Sequence, residues 1–222
     1  MARLLGMASY LAVLAAGILG AMLVVALESG VTQQRFETVM AIASYSVQIA
    51  EARQPMMVTL SFDNLFILAY VGAICLAMAG LRTAETAWIA GAAAVGMVAT
   101  GLLDYAENLH FLTMYANLAA GIPISEAEIG QRMWSSLMKW HIAYAAMFAA
   151  SFVIPVRGPL GFVLVWSMRI ILPIVGVLHY TTPEAFHATL GLMRYVLMLA
   201  GFLMMAFVFS SEAQHIARAG KA

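Results

Sequence analysis

The chain is expected to be an all-α polytopic membrane protein, a six-transmembrane-helix bundle with an additional outer amphipathic helix. Three observations predict this. Hydrophobic residues make up 64% of the 222 positions and charged residues only 10%, far below the share a soluble surface needs. Apolar runs of about 20 residues, the length that crosses a bilayer as a helix, recur along the chain. These runs lack the polar–apolar alternation of a membrane β-strand, and backbone within lipid must satisfy its own hydrogen bonds, so they read as helices. The whole chain, 1–222, forms one integral membrane domain. Eleven basic and eleven acidic residues cancel, so no basic surface argues for nucleic acid. The lone Cys75 excludes an intrachain disulfide and a cysteine-rich metal motif.

The expected spans lie roughly at 5–27, 57–80, 87–109, 133–155, 160–180 and 188–211. In the first, Arg3 precedes an apolar stretch, Leu11 to Leu27, that is long for a signal peptide, so it reads as a retained span. Segment 29–56 reads as an extramembrane or interfacial helix. Its apolar face is Phe36, Val39, Met40, Ala43, Val47 and Ala50, and Arg35, Glu37, Gln48 and Glu51 are the polar counterpart. Pro55 ends or bends it.

Thr83–Thr86 is a loop so short that the second and third spans must be antiparallel neighbours. Gly72, Gly80, Gly91 and Gly96 permit close helix packing. Ser125 and Glu128 have capping-box spacing and open a helix. Pro173 removes the helical donor for the Arg169 carbonyl and kinks the fifth span. Thr182, Pro183 and Glu184 read as cap, first turn and favourable charge of the last helix.

Arg3, Arg82, Arg157, Arg218 and Lys221 fall on one side, and Arg35, Arg53 and Arg132 on the other. The bias places both termini in the cytoplasm of a bacterial inner membrane.

Charged residues within spans are costly and face protein or water. Asp63, Asp104, Glu107, Lys139, Arg169 and Arg194 are those residues, and the expected depths put nearly all in the outer half. Asp104, Glu107 and Asn108 share one helical face. Two carboxylates one turn apart can share a proton, hold a metal or clamp a base. Asp104, Glu107 and His141 are therefore the acid–base candidates, with His141 carrying protons. Arg169, Arg194, Asp63 and Asn108 are the ligand-binding candidates, the two arginines suiting an anion such as a lipid phosphate. A metal would draw on Glu107, His110, His141 and His179, and haem b on His141 and His179. No spacing specifies a cofactor. Lys139 lies nearly opposite His141 and is free to snorkel outward, while Trp134 and Trp140 read as interface anchors.

The leading functional expectation is an outward-facing polar pocket for a small polar molecule or lipid headgroup, with catalysis or transport built on it. Asp104, Glu107, His141, Arg169 and Arg194 should then converge. Two alternatives stand beside it: a noncatalytic membrane subunit with a membrane-protein partner, in a respiratory, photosynthetic or transport assembly, and a haem- or metal-binding membrane protein. In the bland reading the charges merely pair and fix helix register.

Overall fold

A computed structural model describes residues 1–37, 42–182 and 186–219, with the side chains of 42 and 43 excepted. The described residues are helical, with no strand. In order they form α1 (Ala2–Ser29), a 3₁₀ turn (Gln33–Glu37), α2 (Ile42–Glu51), α3 (Arg53–Leu81), α4 (Ala87–Ala119), α5 (Glu126–Ala150), α6 (Gly158–Trp166), a π turn (Ser167–Ile171), α7 (Leu172–Thr181) and α8 (His187–Ala219).

Among the described residues five helices are long and apolar enough to cross a membrane: α1, α3, α4, the continuous α6–α7 rod and α8. The fourth expected span, α5, falls short. It is 25 residues long, but Ser135, Ser136, Lys139 and His141 dilute its apolar stretch. The sixth span is thus not confirmed, on grounds of composition and not of length.

The long helices pack as a closed ring, with α1 against α3 and α8, α3 against α4, α4 against α5, and α6–α7 against α8. Neighbours run antiparallel: the Ser9 hydroxyl near the start of α1 donates to the Ala206 carbonyl of α8 at 2.7 Å, and the Tyr195 hydroxyl donates to Leu19 near its end. Small residues let the rods approach. Leu11 and Leu5 of α1 seat over Gly72 and Gly80, and Ala146 over Gly96, whereas nothing packs on Gly91. A core rich in Ala, Ile and Met fills the ring.

The ring is loosest between α5 and α6–α7. There Tyr144 lies flat on Gly176, where any Cβ would overlap its ring. In the turn before Pro173, Leu172 donates to the Ser167 carbonyl, five residues back, and the helix widens into a π turn.

A second core covers one end of the bundle. Phe36, Tyr45, Ile49 and Ala52 pack on Met56, Leu60, Phe111, Met114 and Tyr115. At 33 residues, α4 is about 50 Å long, well beyond the roughly 30 Å of hydrocarbon, so its last turns reach this layer. The buried face of α2 differs from the expected one. Tyr45, Ile49 and Ala52 point inward and Val47 is exposed, because aromatic Tyr45 meets Phe36 edge-on at 5.6 Å. Val39, Met40 and the Ala43 side chain lie outside the described residues. The Ser125–Glu128 capping box forms as expected and starts α5 seven residues before the expected span. Pro183 and Glu184 lie outside the described residues, and Thr182 instead donates back to Leu178 at the end of α7.

Candidate functional site

Asp104, Glu107 and Asn108 emerge from α4 on one face, as their spacing requires, and all three are buried. Opposite them α5 presents Arg132, Ser136 and Lys139, four and then three residues apart and hence also on one face. Antiparallel packing brings the two faces together. Arg132 donates to Glu107 Oε1 at 3.2 Å, and the Ser136 hydroxyl donates to the same oxygen. The Lys139 ammonium donates to Glu107 Oε2 and, at 2.9 Å, to Asp104 Oδ1. Lys139 is only 4% exposed and Arg132 1%. Lys139 therefore does not snorkel. Three acids surround it, the third being Glu37 at 3.6 Å.

Glu37 comes from the 3₁₀ turn and joins this cluster to α8. Its Oε2 accepts from Arg194 Nη2 at 2.6 Å and from the Trp140 indole at 3.0 Å. The Arg194 guanidinium lies 3.8 Å from the centre of the Trp140 ring, and its Nη1 donates to the Tyr180 hydroxyl at 3.3 Å. Trp140 is thus a network member rather than an interface anchor. Burial would push the Glu37 carboxyl up, but the charges of Arg194 and Lys139 outweigh it and hold it down at about 2.

The other flank is neutral in its donors. The Asn108 amide donates to Asp63 Oδ2 at 2.7 Å and to Asn64 Oδ1 at 3.1 Å, while Gln33 donates to Asn108 Oδ1 at 3.2 Å. The Tyr70 hydroxyl donates to Asp104 Oδ2 at 3.1 Å.

Of the five residues expected to converge, Asp104, Glu107 and Arg194 do, through Lys139 and Glu37, and Asp63 and Asn108 adjoin them. His141 does not. It is exposed, with Nδ1 against the Leu137 carbonyl of its own helix at 2.8 Å, because it projects from the face of α5 away from Lys139. Arg169 does not either. It donates to the Ser151 hydroxyl and carbonyl, both at 3.0 Å, and lies over the Phe152 ring at 4.3 Å. It satisfies a carbonyl left open where α5 ends. Tyr180 marks the depth of Arg194, and Arg169 lies 11 residues before it, about 16 Å along the rod. The two guanidiniums answer to different partners, Arg169 to Ser151 and Arg194 to Glu37.

The expected metal set is also dispersed. Glu107 is occupied by Arg132, Ser136 and Lys139, and His110 Nε2 lies 3.2 Å from the Glu128 carbonyl. Among the described residues no three His, Cys, Asp or Glu side chains are placed to hold a metal ion. The Tyr180 ring lies 6.2 Å from the His141 ring and 5.2 Å from the His179 ring. His179 is buried, 5.5 Å from the His187 ring.

Among the described residues, cavities touch the network at three places. One of about 70 Å³ is walled in part by Gln33, Glu37, Asp63, Asp104 and Lys139. One of about 110 Å³ lies at the loose seam, apolar but for one end where Asp104, Lys139, Tyr70 and Thr100 stand. The largest, about 400 Å³, lies at the α2 end between Glu37, Trp134, Tyr180 and His187.

Replacing Lys139 by Met strands buried Asp104 and leaves Glu107 with Arg132 alone as its cation, and should cost about 3–5 kcal/mol of stability. His141→Ala should change the same thermal unfolding curve in detergent by less than about 0.5 kcal/mol. Equal losses would contradict the assignment of the two faces of α5. Glu37 supplies a pH signature. Its carboxyl is lowered in the folded protein from 4.5 to about 2. Its contribution is therefore complete above pH 4.5 and fades as pH falls toward 2. Melting temperatures across that window should decline in the parent and decline less in Glu37→Gln.

Comparison with known protein families, characterised proteins and solved structures found no match.

Proposed function

We propose that the protein is a bacterial inner-membrane protein of six spans that binds the polar head of a membrane amphiphile. The observation that carries this reading is the seam cavity. Its walls are hydrocarbon, including Met97, Met147, Met168 and Met198, and its polar end is the Asp104–Lys139 pair. Methionine walls adapt to varied apolar shapes. At about 110 Å³ the space is comparable to an engineered apolar cavity of about 150 Å³ that admits benzene. It suits a head and the first carbons of a chain, with the remaining tail outside in lipid. The π turn contributes Ser167 and Met168 to the wall, and such turns are frequent at functional sites.

On this reading α5 is the sixth span, tolerated in lipid because its charges face α4. The α2 layer lies on the outer side, and the cavity beside Glu37 opens toward it. The orientation rests on Arg3, Arg82, Arg157 and Arg218 at the opposite end, and burial of Arg132 in the network removes one basic residue from the α2 side. The noncatalytic-subunit reading is favoured by one fact: each cation of the network has an acid partner inside the chain.

The binding reading is tested by crosslinking a photoreactive long-chain alcohol to the purified protein. Label should enter residues of the seam, and Ala143→Leu, which fills the cavity, should lower labelling about tenfold, equivalent to about 1.4 kcal/mol. Labelling that is diffuse, or unchanged in the folded variant, contradicts it. For topology, Arg218→Cys in a Cys75→Ser background should resist impermeant thiol reagents in intact cells and react after lysis. Reaction in intact cells would reverse the orientation.

A further inference from the structure

The buried network has an odd acid. Glu37, Asp63, Asp104 and Glu107 are all buried, and so are Arg132, Lys139 and Arg194. Four carboxylates against three cations leave one net negative charge if every group is ionised. Among the described residues the remaining buried acid, Glu212, is held by Arg157 at 2.8 Å and takes no part. An uncompensated charge in this setting is costly, and a carboxyl escapes the cost by keeping its proton.

The contacts say which acid keeps it. Glu37 has Arg194 and Lys139, Glu107 has Arg132 and Lys139, and Asp104 has Lys139. Among the described residues no cation lies within ion-pair distance of Asp63, whose hydrogen-bond donor is the neutral Asn108 amide. The groups around it do not supply the missing charge. α4 contributes Asp104, Glu107 and Tyr105, and α5 contributes Lys139, already shared by three acids. The 3₁₀ turn contributes Glu37, α8 Tyr195, and α3 itself Tyr70. From α1 come only Leu19, Met22 and Ala26.

We infer that Asp63 is a proton-binding site, carrying a carboxylic-acid proton at neutral pH and exchanging it with water through the cavity it shares with Glu37. That cavity, about 70 Å³, is walled by Asp63, Asp104, Lys139 and Glu37, and Glu37 also lines the larger cavity at the α2 end. Binding forms one O–H bond on Asp63 from a solvent proton and brings the network to zero net charge. Release restores the single negative charge. The inference stands on charge count and contacts and does not require an amphiphile in the seam.

Infrared spectroscopy of the protein in an ester-free detergent tests it. At neutral pH the parent should show the carbonyl stretch of a protonated carboxylic acid, shifted downward in deuterated water. Asp63→Asn should lose that band and melt as high as the parent, since an amide replaces a neutral acid. Should that variant not fold, Asp104→Asn decides the matter. With one paired acid removed, three carboxylates match three cations, so the proton should leave Asp63 and the band should vanish. No band in the parent, a band that ignores deuterium, or a band that persists in either variant would overturn the proposal.

Discussion

An ammonium group cannot stay charged in a hydrocarbon-walled bundle unless acids surround it, and Lys139 meets that condition with residues from two other elements. Removing such a group from water costs several kcal/mol. Asp104 and Glu107 of α4 and Glu37 of the 3₁₀ turn together offset it. The requirement fixes more than one side chain. It sets the register of α5 against α4, because Arg132, Ser136 and Lys139 reach Glu107 and Asp104 in only one alignment. It also pins the 3₁₀ turn to the end of the bundle, and Glu37 then becomes the seat for Arg194 of α8. Four segments distant in sequence are tied by a handful of charge-assisted bonds.

The same constraint accounts for the looseness on the other side of α5. A helix whose polar face is committed to α4 has only its remaining surface for α6–α7. Tyr144 makes the close contact there, on Gly176. The π turn lies in the same rod, and the apolar cavity lies along this seam. A tight ionic contact and a loose apolar one therefore flank a single helix. Asp104 and Lys139 belong to both, which makes the network the polar end of the cavity.

How much of this could be read in advance depended on whether the information was local. Five spans were legible because composition over about 20 residues decides them. The sixth was not confirmed by composition, since the polar groups that make α5 important also lower its hydropathy. The Asp104–Glu107–Asn108 face was legible from spacing alone, and so was the opposition of Lys139 and His141 on α5. Which of those two faces turned inward was not. A lysine and a histidine are equally at home in a site, and only the partner helix decides. The series Arg132, Ser136, Lys139 carried the missing signal, a polar stripe at helical spacing facing an acidic one. Glu37 and Arg169 had no such signal. The former reaches the network by tertiary placement of a turn, and the latter answers to the open carbonyl at the end of a helix 18 positions away in sequence.

The three contacts of Lys139 are unequal, and this bears on how the proposed ligand site would work. Asp104 and Glu107 hold the ammonium directly, whereas Glu37 stands at 3.6 Å, beyond ordinary hydrogen-bond length. An ammonium has three donors in fixed directions. The donor aimed toward Glu37 is the least committed, and Glu37 keeps Arg194 and Trp140 if it gives up Lys139. A hydroxyl or carbonyl that reaches Lys139 on its Glu37 side, where the cavity of about 70 Å³ lies, could accept from that donor without unpairing any acid. Charge balance would be unchanged, so the cost of burying the ligand's polar atom would be met by one hydrogen bond to a group already ordered by the fold. A charged head would not enjoy this neutrality. An anion would compete with Asp104 and Glu107 for the same cation, and a cation would meet Lys139 head-on. The electrostatics that hold the bundle together thus favour a neutral polar head over either ionic kind.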